Sequence, residues 1–226
     1  MWSISEVKET GKAAFKKNYW RCVLVSFILA LLTAGSSATG QSSSFKNADQ
    51  ANIPNEQMAT FIAFVAGFII AFSIIWILLR IFVLNHLEVG CYTFLKKNIT
   101  EDKVDLSELK AGFVKYSRTL VTILLRDIFL ALWICLFIIP GLIKSYSYMM
   151  VPYILLDEPE LSPKEVITRS RKMMNGNKWR AFLLDLSFIG WVLLSLLTCG
   201  LVGLLYEEPY RRSARAALYH ELKKNS

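Results

Sequence analysis

The chain has 226 residues, of which 54% are hydrophobic, and it carries 26 Lys and Arg against 18 Asp and Glu. Soluble domains contain about 45–50% apolar residues. The excess here is concentrated in long uncharged runs, which exclude an ordinary soluble domain and are typical of membrane spans. The four cysteines, Cys22, Cys91, Cys135 and Cys199, stand singly. Without a CxxC pair, the sequence indicates neither a zinc site nor a disulfide framework.

The net charge of +8 is distributed in a way that indicates membrane topology. Lys and Arg number five in 1–21, six in 96–118, six in 157–180 and five in 206–226, with only Lys46 in 35–57 and only Lys144 near Pro140-Gly141. Basic clusters that alternate with nearly uncharged loops follow the positive-inside rule. We therefore expect both termini in the cytoplasm and no nucleic-acid partner.

The chain begins with a predicted basic amphipathic helix over residues 3–19, which Ser3 and Glu6 cap and which we expect to lie on the membrane surface. The first apolar run starts near Trp20. A signal peptide cleaved near residues 36–38 is the alternative for this region. A Ser-rich extracytoplasmic polar loop follows over residues 35–57.

Apolar runs and charged linkers then alternate along the chain. The pattern predicts spans over 58–79, 119–139, 142–156 and 179–199, a charged cytoplasmic linker over 96–118, and a cytoplasmic helix within 157–177. Ser162 and Glu165 form the capping box of that helix, and Gly176 stops it. The last segment, 200–222, begins apolar and then acquires charges, so whether it fully spans the membrane stays open.

Helix breaks are expected where proline and glycine interrupt the apolar runs. Pro140 has no N–H to donate and Gly141 can adopt a positive φ, which together predict a reversal. We expect Pro152 to close the segment after it. A second break is predicted at Gly200 and Gly203, followed by Pro209.

Two motifs recur along the chain. Ser3-x-x-Glu6 followed by Trp20 matches Ser162-x-x-Glu165 followed by Trp179, and Asp127-x5-Trp133 matches Asp185-x5-Trp191. We interpret residues 1–226 as a single integral membrane domain with repeat units of about 1–97, 98–158 and 159–226. The predicted fold class is all-α: a polytopic transmembrane bundle of about six segments in three hairpins, with cytoplasmic amphipathic helices.

The sequence also resembles a known family. Segments such as Leu136-Phe-Ile-Ile-Pro140-Gly141-Leu-Ile-Lys, Ser170-Arg-Lys-Met-Met-Asn-Gly-Asn-Lys, Leu186-Ser-Phe-Ile-Gly-Trp191 and Ile4-Ser-Glu-Val-Lys are similar to DUF975, uncharacterised bacterial integral membrane proteins. The resemblance implies a polytopic membrane protein, distantly similar to the membrane domain of some glycerophosphodiesterases, with no established activity. The chain departs from the family pattern at Glu207-Glu208 and Arg211-Arg212, where the family is more apolar.

Arg126, Asp127 and Asp185 form the candidate intramembrane polar site, because an unpaired charge inside a span is costly. We expect them to face the bundle interior, where Arg126 neutralises one of the aspartates. A proton- or substrate-coupling site is one interpretation. The sequence favours a structural ion pair or aspartates near the wet interface. Glu207, Glu208, Arg211, Arg212 and Arg215 are spaced to pair along one helix.

No GxSxG, HExxH, P-loop or dinucleotide motif is present, so we expect no enzyme activity and no cofactor. His86 and His220 lack metal-ligand spacing, so we expect no metal. The predicted function is a non-enzymatic structural, accessory or lipid-interacting role in the cell membrane. The expected partners are membrane lipids, other membrane proteins or a second copy of the chain. The alternative is a small transporter or permease-like protein that uses the broken helices and the buried Arg and Asp.

Overall fold

The computed structural model describes residues 2–37, 56–198 and 200–224. Every regular element in these ranges is helical, and they contain no strand, so the predicted all-α class is confirmed. The α-helices are α1 (Ile4–Lys17), α2 (Tyr19–Ser37), α3 (Glu56–Leu79), α4 (Asn85–Thr100), α5 (Ala111–Val114), α6 (Tyr116–Leu136), α7 (Ile138–Tyr148), α8 (Val151–Asp157), α9 (Pro163–Met173), α10 (Lys178–Leu186), α11 (Ile189–Leu197) and α12 (Glu208–Lys224). Two π segments, Arg80–Leu84 and Gly203–Glu207, and a 3-10 turn, Leu106–Lys110, connect them.

Three helical stretches are long and apolar enough to cross a membrane: Thr60–Thr100, Tyr116–Leu136 and Lys178–Leu197. Of these stretches, the part formed by α3 is the least covered by other helices, because every side chain from Thr60 to Ile75 is exposed. A bundle of six segments goes beyond these three stretches and stays a prediction. Of the predicted polar loop 35–57, residues 38–55 lie outside the described part of the chain; the rest belongs to α2 and α3.

The buried core is built around α4 and α12. α4 is buried on most of its surface, and Val89, Phe94 and Leu95 lie at its centre. The small residues of α12 let its neighbours approach closely, since a Cβ added at Gly11 of α1 would lie 2.6 Å from the Cα of Ala214. Two helices that are far apart in sequence therefore pack almost backbone to backbone.

This packing corrects the expected position of α1. Its capping box forms as predicted, but Val7 and Phe15 on its apolar face are fully buried in the core. The apolar face of α1 is therefore not free to rest on a membrane surface. Lys12 and Lys16 occupy its exposed face.

The break between α6 and α7 lies at Phe137, three residues before the predicted position. Phe137 is extended, with φ −157° and ψ 135°. Pro140 is the third residue of α7, where a backbone N–H needs no partner within the helix. Positive φ is found at Gly176 and Gly200 and not at Gly141. Instead, a Cβ at Gly141 would lie 2.9 Å from the Cα of Ile134, so this glycine permits α7 to pack closely on α6.

The other predicted breaks lie at or next to helix ends. Gly200 has φ +87°, the left-handed conformation that glycine adopts without strain, and it follows α11. Gly203 begins a π segment and packs against the side chain of Ser195. Pro152 does not close a segment as predicted, because it is the second residue of α8 and so lies at the start of a helix. Gly176 (φ +78°) follows α9 as expected.

α12 begins directly after the second π segment, and Pro209 is its second residue. It has no N–H to donate to the carbonyl of Leu205, four residues earlier. The phenol of Tyr19 donates a hydrogen bond of 3.1 Å to that carbonyl. A side chain of α2 thus satisfies the group that the proline leaves free.

The two motif copies share local features but not their tertiary contacts. The Ser3–Glu6 and Ser162–Glu165 capping boxes both form, and Trp20 and Trp179 are both exposed. The copies of the second motif differ, because Asp127 and Asp185 have different partners. The three-hairpin repeat therefore stays a prediction.

Candidate intramembrane polar site

The structure brings Arg126 and Asp127 together on α6. The Arg126 Nη2 atom lies 2.8 Å from Asp127 Oδ1, and its Nε donates to the same oxygen at 2.9 Å. Nη2 also lies 3.7 Å from the Glu88 Oε1 atom of α4. Glu88 is buried, the Arg126 side chain is 14% exposed and the Asp127 side chain is 37% exposed. This group therefore links α6 to α4 and reaches the surface through Asp127.

Asp185 belongs to a second ion pair. Its carboxylate accepts from Arg215 of α12 through two hydrogen bonds, Nε to Oδ1 at 3.0 Å and Nη2 to Oδ2 at 2.8 Å. The phenol of Tyr146 on α7 donates to Oδ2 at 3.1 Å. The bidentate geometry is the strong form of an Arg–carboxylate contact. It joins three elements, α7, α10 and α12.

The acidic and basic residues around the start of α12 pair largely along the chain, as their spacing predicts. Arg211 Nε lies 3.1 Å from Glu207, and Arg211 also contacts Glu208. Arg212 Nε donates to Glu208 at 2.8 Å. Arg215 departs from this pattern by crossing to α10. α12 packs against α1 and α4 and is not among the three stretches that are apolar enough to span a membrane.

The site is therefore a set of ion pairs rather than a group of free charges. Arg126, Asp127 and Asp185 each contact at least one residue of opposite charge. A buried charge with a well-placed partner avoids most of the penalty of losing water. The arrangement fixes the register of neighbouring helices, and a proton could be exchanged there only if a pair opened.

The sequence did not predict two ion-pair partners in this site, Glu88 for Arg126 and Arg215 for Asp185. Glu88 stands in a stretch between Arg80 and Lys96 that has no other carboxylate, and this isolation is the signal that could have indicated a buried pair. Arg215 lies among other charges of α12, so its sequence context does not distinguish it. Its pairing with Asp185 depends on where the fold places α12 relative to α10.

Asp157 forms a further buried cluster that the sequence does not predict. Asp157 is the last residue of α8, and its side chain is only 15% exposed. It contacts Lys96 Nζ and accepts hydrogen bonds from Tyr219 Oη at 2.6 Å and Lys223 Nζ at 2.7 Å. Burial raises the pKa of Asp157, but the hydrogen bonds from Lys223, Lys96 and Tyr219 outweigh burial and hold the pKa at about 2.

This depressed pKa predicts a pH-dependent stability. In the unfolded chain the Asp157 carboxyl has its ordinary pKa of 3.8, so as the pH falls it takes up a proton before the folded carboxyl does. The stabilisation by Asp157 is therefore complete above about pH 4 and is lost as the pH falls towards 2. Thermal unfolding of the wild type and Asp157→Asn in detergent should therefore differ most at pH 5–6 and converge near pH 2. A difference that is independent of pH would contradict an ionised Asp157 as its source.

Within the described ranges, no group of three or more His, Cys, Asp or Glu side chains could hold a metal ion. His86 Nε2 lies 3.0 Å from the carbonyl oxygen of Tyr116, and the His86 ring stacks on the Tyr116 ring at 4.1 Å between centroids. His220 Nε2 lies 3.1 Å from the carbonyl oxygen of Lys96. Both histidines thus make backbone contacts that position helices.

Fold and site together define a protein that is helical throughout its described residues. It has three helical stretches that could span a membrane, and its buried charges are paired with one another. Residues 137–226 match the family model described as "Protein of unknown function (DUF975)", so this segment of the chain is similar to that family. The match covers α7 to α12 and begins at the Phe137 break. Neither the curated proteins nor the solved structures gave a significant match. The predicted distant similarity to glycerophosphodiesterase membrane domains therefore stays a prediction.

Proposed function

We propose that the chain is a multi-pass membrane protein with a non-enzymatic structural, accessory or lipid-interacting role. The observation that carries the proposal is the uncovered surface of α3. This helix has 24 residues, about 36 Å at 1.5 Å per residue, and its described side chains up to Ile75 are all exposed. Such an apolar surface is unstable in water and is stable in the hydrocarbon of a bilayer about 30 Å thick.

The proposed location is the cell membrane, with both termini in the cytoplasm. The packing of α1 on α12 supports a common side for the two ends of the chain. Both helices carry exposed lysines, which the positive-inside rule places in the cytoplasm. Termini on one side require an even number of crossings.

The absence of catalytic motifs in the sequence supports a non-enzymatic role, and the ion pairs support a structural part for Arg126, Asp127 and Asp185. The transporter alternative needs at least one of these groups to exchange a proton or bind a substrate. Bidentate pairing of Asp185 with Arg215 makes such exchange costly. The structural role is therefore the better supported one.

Reconstitution and flotation test the proposal. The purified chain is mixed with liposomes of phosphatidylcholine alone or with 30% phosphatidylglycerol, and both sets are floated after treatment with alkaline carbonate. We expect the protein to stay in the floated fraction, as an integral protein does. We also expect it to retain phosphatidylglycerol at least threefold better than phosphatidylcholine when it is extracted into neutral detergent. Loss from the vesicles would refute membrane integration, and equal lipid retention would remove the lipid-interacting role.

A further inference from the structure

A basic pocket of about 340 Å³ lies between α7 and the C-terminal part of α9. Its lining consists of four cationic side chains and three neutral polar ones: Lys144, Arg171, Lys172, Lys178, Ser147, Thr168 and Asn175. No carboxylate is among the described residues that line it. Lys144, which the sequence leaves isolated near a turn, thus joins the basic cluster of 157–180.

None of the four cations of this pocket forms an ion pair with a carboxylate of the described residues. Lys17, Lys96 and Lys97 each contact a carboxylate elsewhere in the structure. No described carboxylate lies within 4.0 Å of the charged nitrogens of Lys144 or Arg171, and Lys144 Nζ instead lies 4.5 Å above the Trp133 ring. Like charges gathered without a counterion favour the binding of an anion.

An apolar groove of about 360 Å³ adjoins the basic pocket along α7. Its lining includes Leu142, Ile143, Trp179 and Phe182, and Lys178 lines both cavities. Leu142 and Ile143 directly precede Lys144 in α7, so the apolar and basic regions meet within one helical turn. Trp179 is 67% exposed, although it is large and mostly apolar.

The geometry points to an anionic phospholipid as the occupant of this composite site, with its phosphate in the basic pocket and the upper part of an acyl chain in the apolar groove. The inference rests on the proposed membrane location and names the lipid class and its place. Charge complementarity supports the choice, since basic pockets between helices at the membrane surface hold anionic headgroups. A free phosphate would use only the basic half and would leave Trp179 and Phe182 uncovered.

The test measures which lipids the full chain retains in neutral detergent, using native mass spectrometry with equimolar phosphatidylglycerol and phosphatidylcholine. Lys144→Gln/Arg171→Gln is compared with Lys12→Gln/Lys16→Gln, which removes the same charge from the exposed face of α1. Two lost phosphate contacts should lower the preference for phosphatidylglycerol about tenfold or more. The α1 control should change it less than twofold.

Three further outcomes separate the possibilities. If the wild type has no preference for phosphatidylglycerol, the proposed lipid-interacting role fails together with this site. If the wild type has the preference and the pocket variant keeps it as fully as the α1 control does, only this site is refuted. Displacement of phosphatidylglycerol by millimolar inorganic phosphate would identify a free-anion site and overturn the lipid assignment. Should the double variant fold poorly, Arg171→Gln alone, on the exposed face of α9, should still lower the preference about threefold or more.

Discussion

Replacing Gly90 by alanine is expected to destabilise the protein by about 3 kcal/mol or more, because overpacking of a rigid site costs 1–3 kcal/mol and occasionally more. Gly90 lies in α4, and a Cβ added there would overlap the carbonyl oxygen of Leu109 and lie 2.8 Å from the Leu109 Cα. Both are backbone atoms, so no side-chain rotation relieves the overlap. The change in unfolding free energy can be measured by denaturant titration in detergent micelles.

Gly67→Ala is the matched control for this variant. Gly67 also lies inside an apolar helix, but nothing stands within 4 Å of the Cβ that alanine would add. The control should be neutral or slightly stabilising, because alanine is the better helix former. Equal stability of the two variants would show that α4 and the Leu106–Lys110 turn do not approach each other as closely as described.

Replacing Arg215 by alanine should lower the unfolding free energy by about 3–5 kcal/mol, the usual cost of leaving a buried charge without its partner. The charge concerned is that of Asp185, whose side chain is 14% exposed. Adding Asp185→Asn should recover most of the loss, because the neutral amide needs no counterion and its oxygen can still accept from Tyr146. A double-mutant cycle in micelles measures this coupling.

Lys224→Ala serves as the comparison on the same helix. Lys224 pairs with Glu221, but its side chain is 70% exposed. An exposed pair of this kind contributes about 0–1 kcal/mol. If Arg215→Ala and Lys224→Ala cost the same, or if Asp185→Asn recovers nothing, the Asp185–Arg215 pair does not stabilise the fold.

Local signals in the sequence predicted local structure well. The Ser3–Glu6 and Ser162–Glu165 capping boxes form where they were expected, since a capping box depends on residues three positions apart. Three of the predicted spans, 58–79, 119–139 and 179–199, also correspond to the helical stretches that could span a membrane, whereas 142–156 is divided between α7 and α8. Length and hydrophobicity are properties of a single segment, so they can be read without knowing its neighbours.

Contacts between distant segments were decided only by the tertiary structure. Asp127 and Asp185 occupy matching positions in a sequence motif, yet one is paired with its neighbour Arg126 and the other with Arg215 on α12. Asp157 likewise acquires its partners Tyr219 and Lys223 only through the position of α12 in the fold. The family match over 137–226 also carried no information about these pairs.

The sequence by itself determined the all-helical class, the apolar segments and the positions of the helix caps. Each of these follows from the hydrogen bonding and hydrophobicity of a short stretch of chain. The tertiary structure decided that α1 packs against α12, that the chain turns at Phe137 rather than at Pro140-Gly141, and that Lys144 joins the basic pocket beside α9. These features depend on how helices approach one another, which no local pattern encodes.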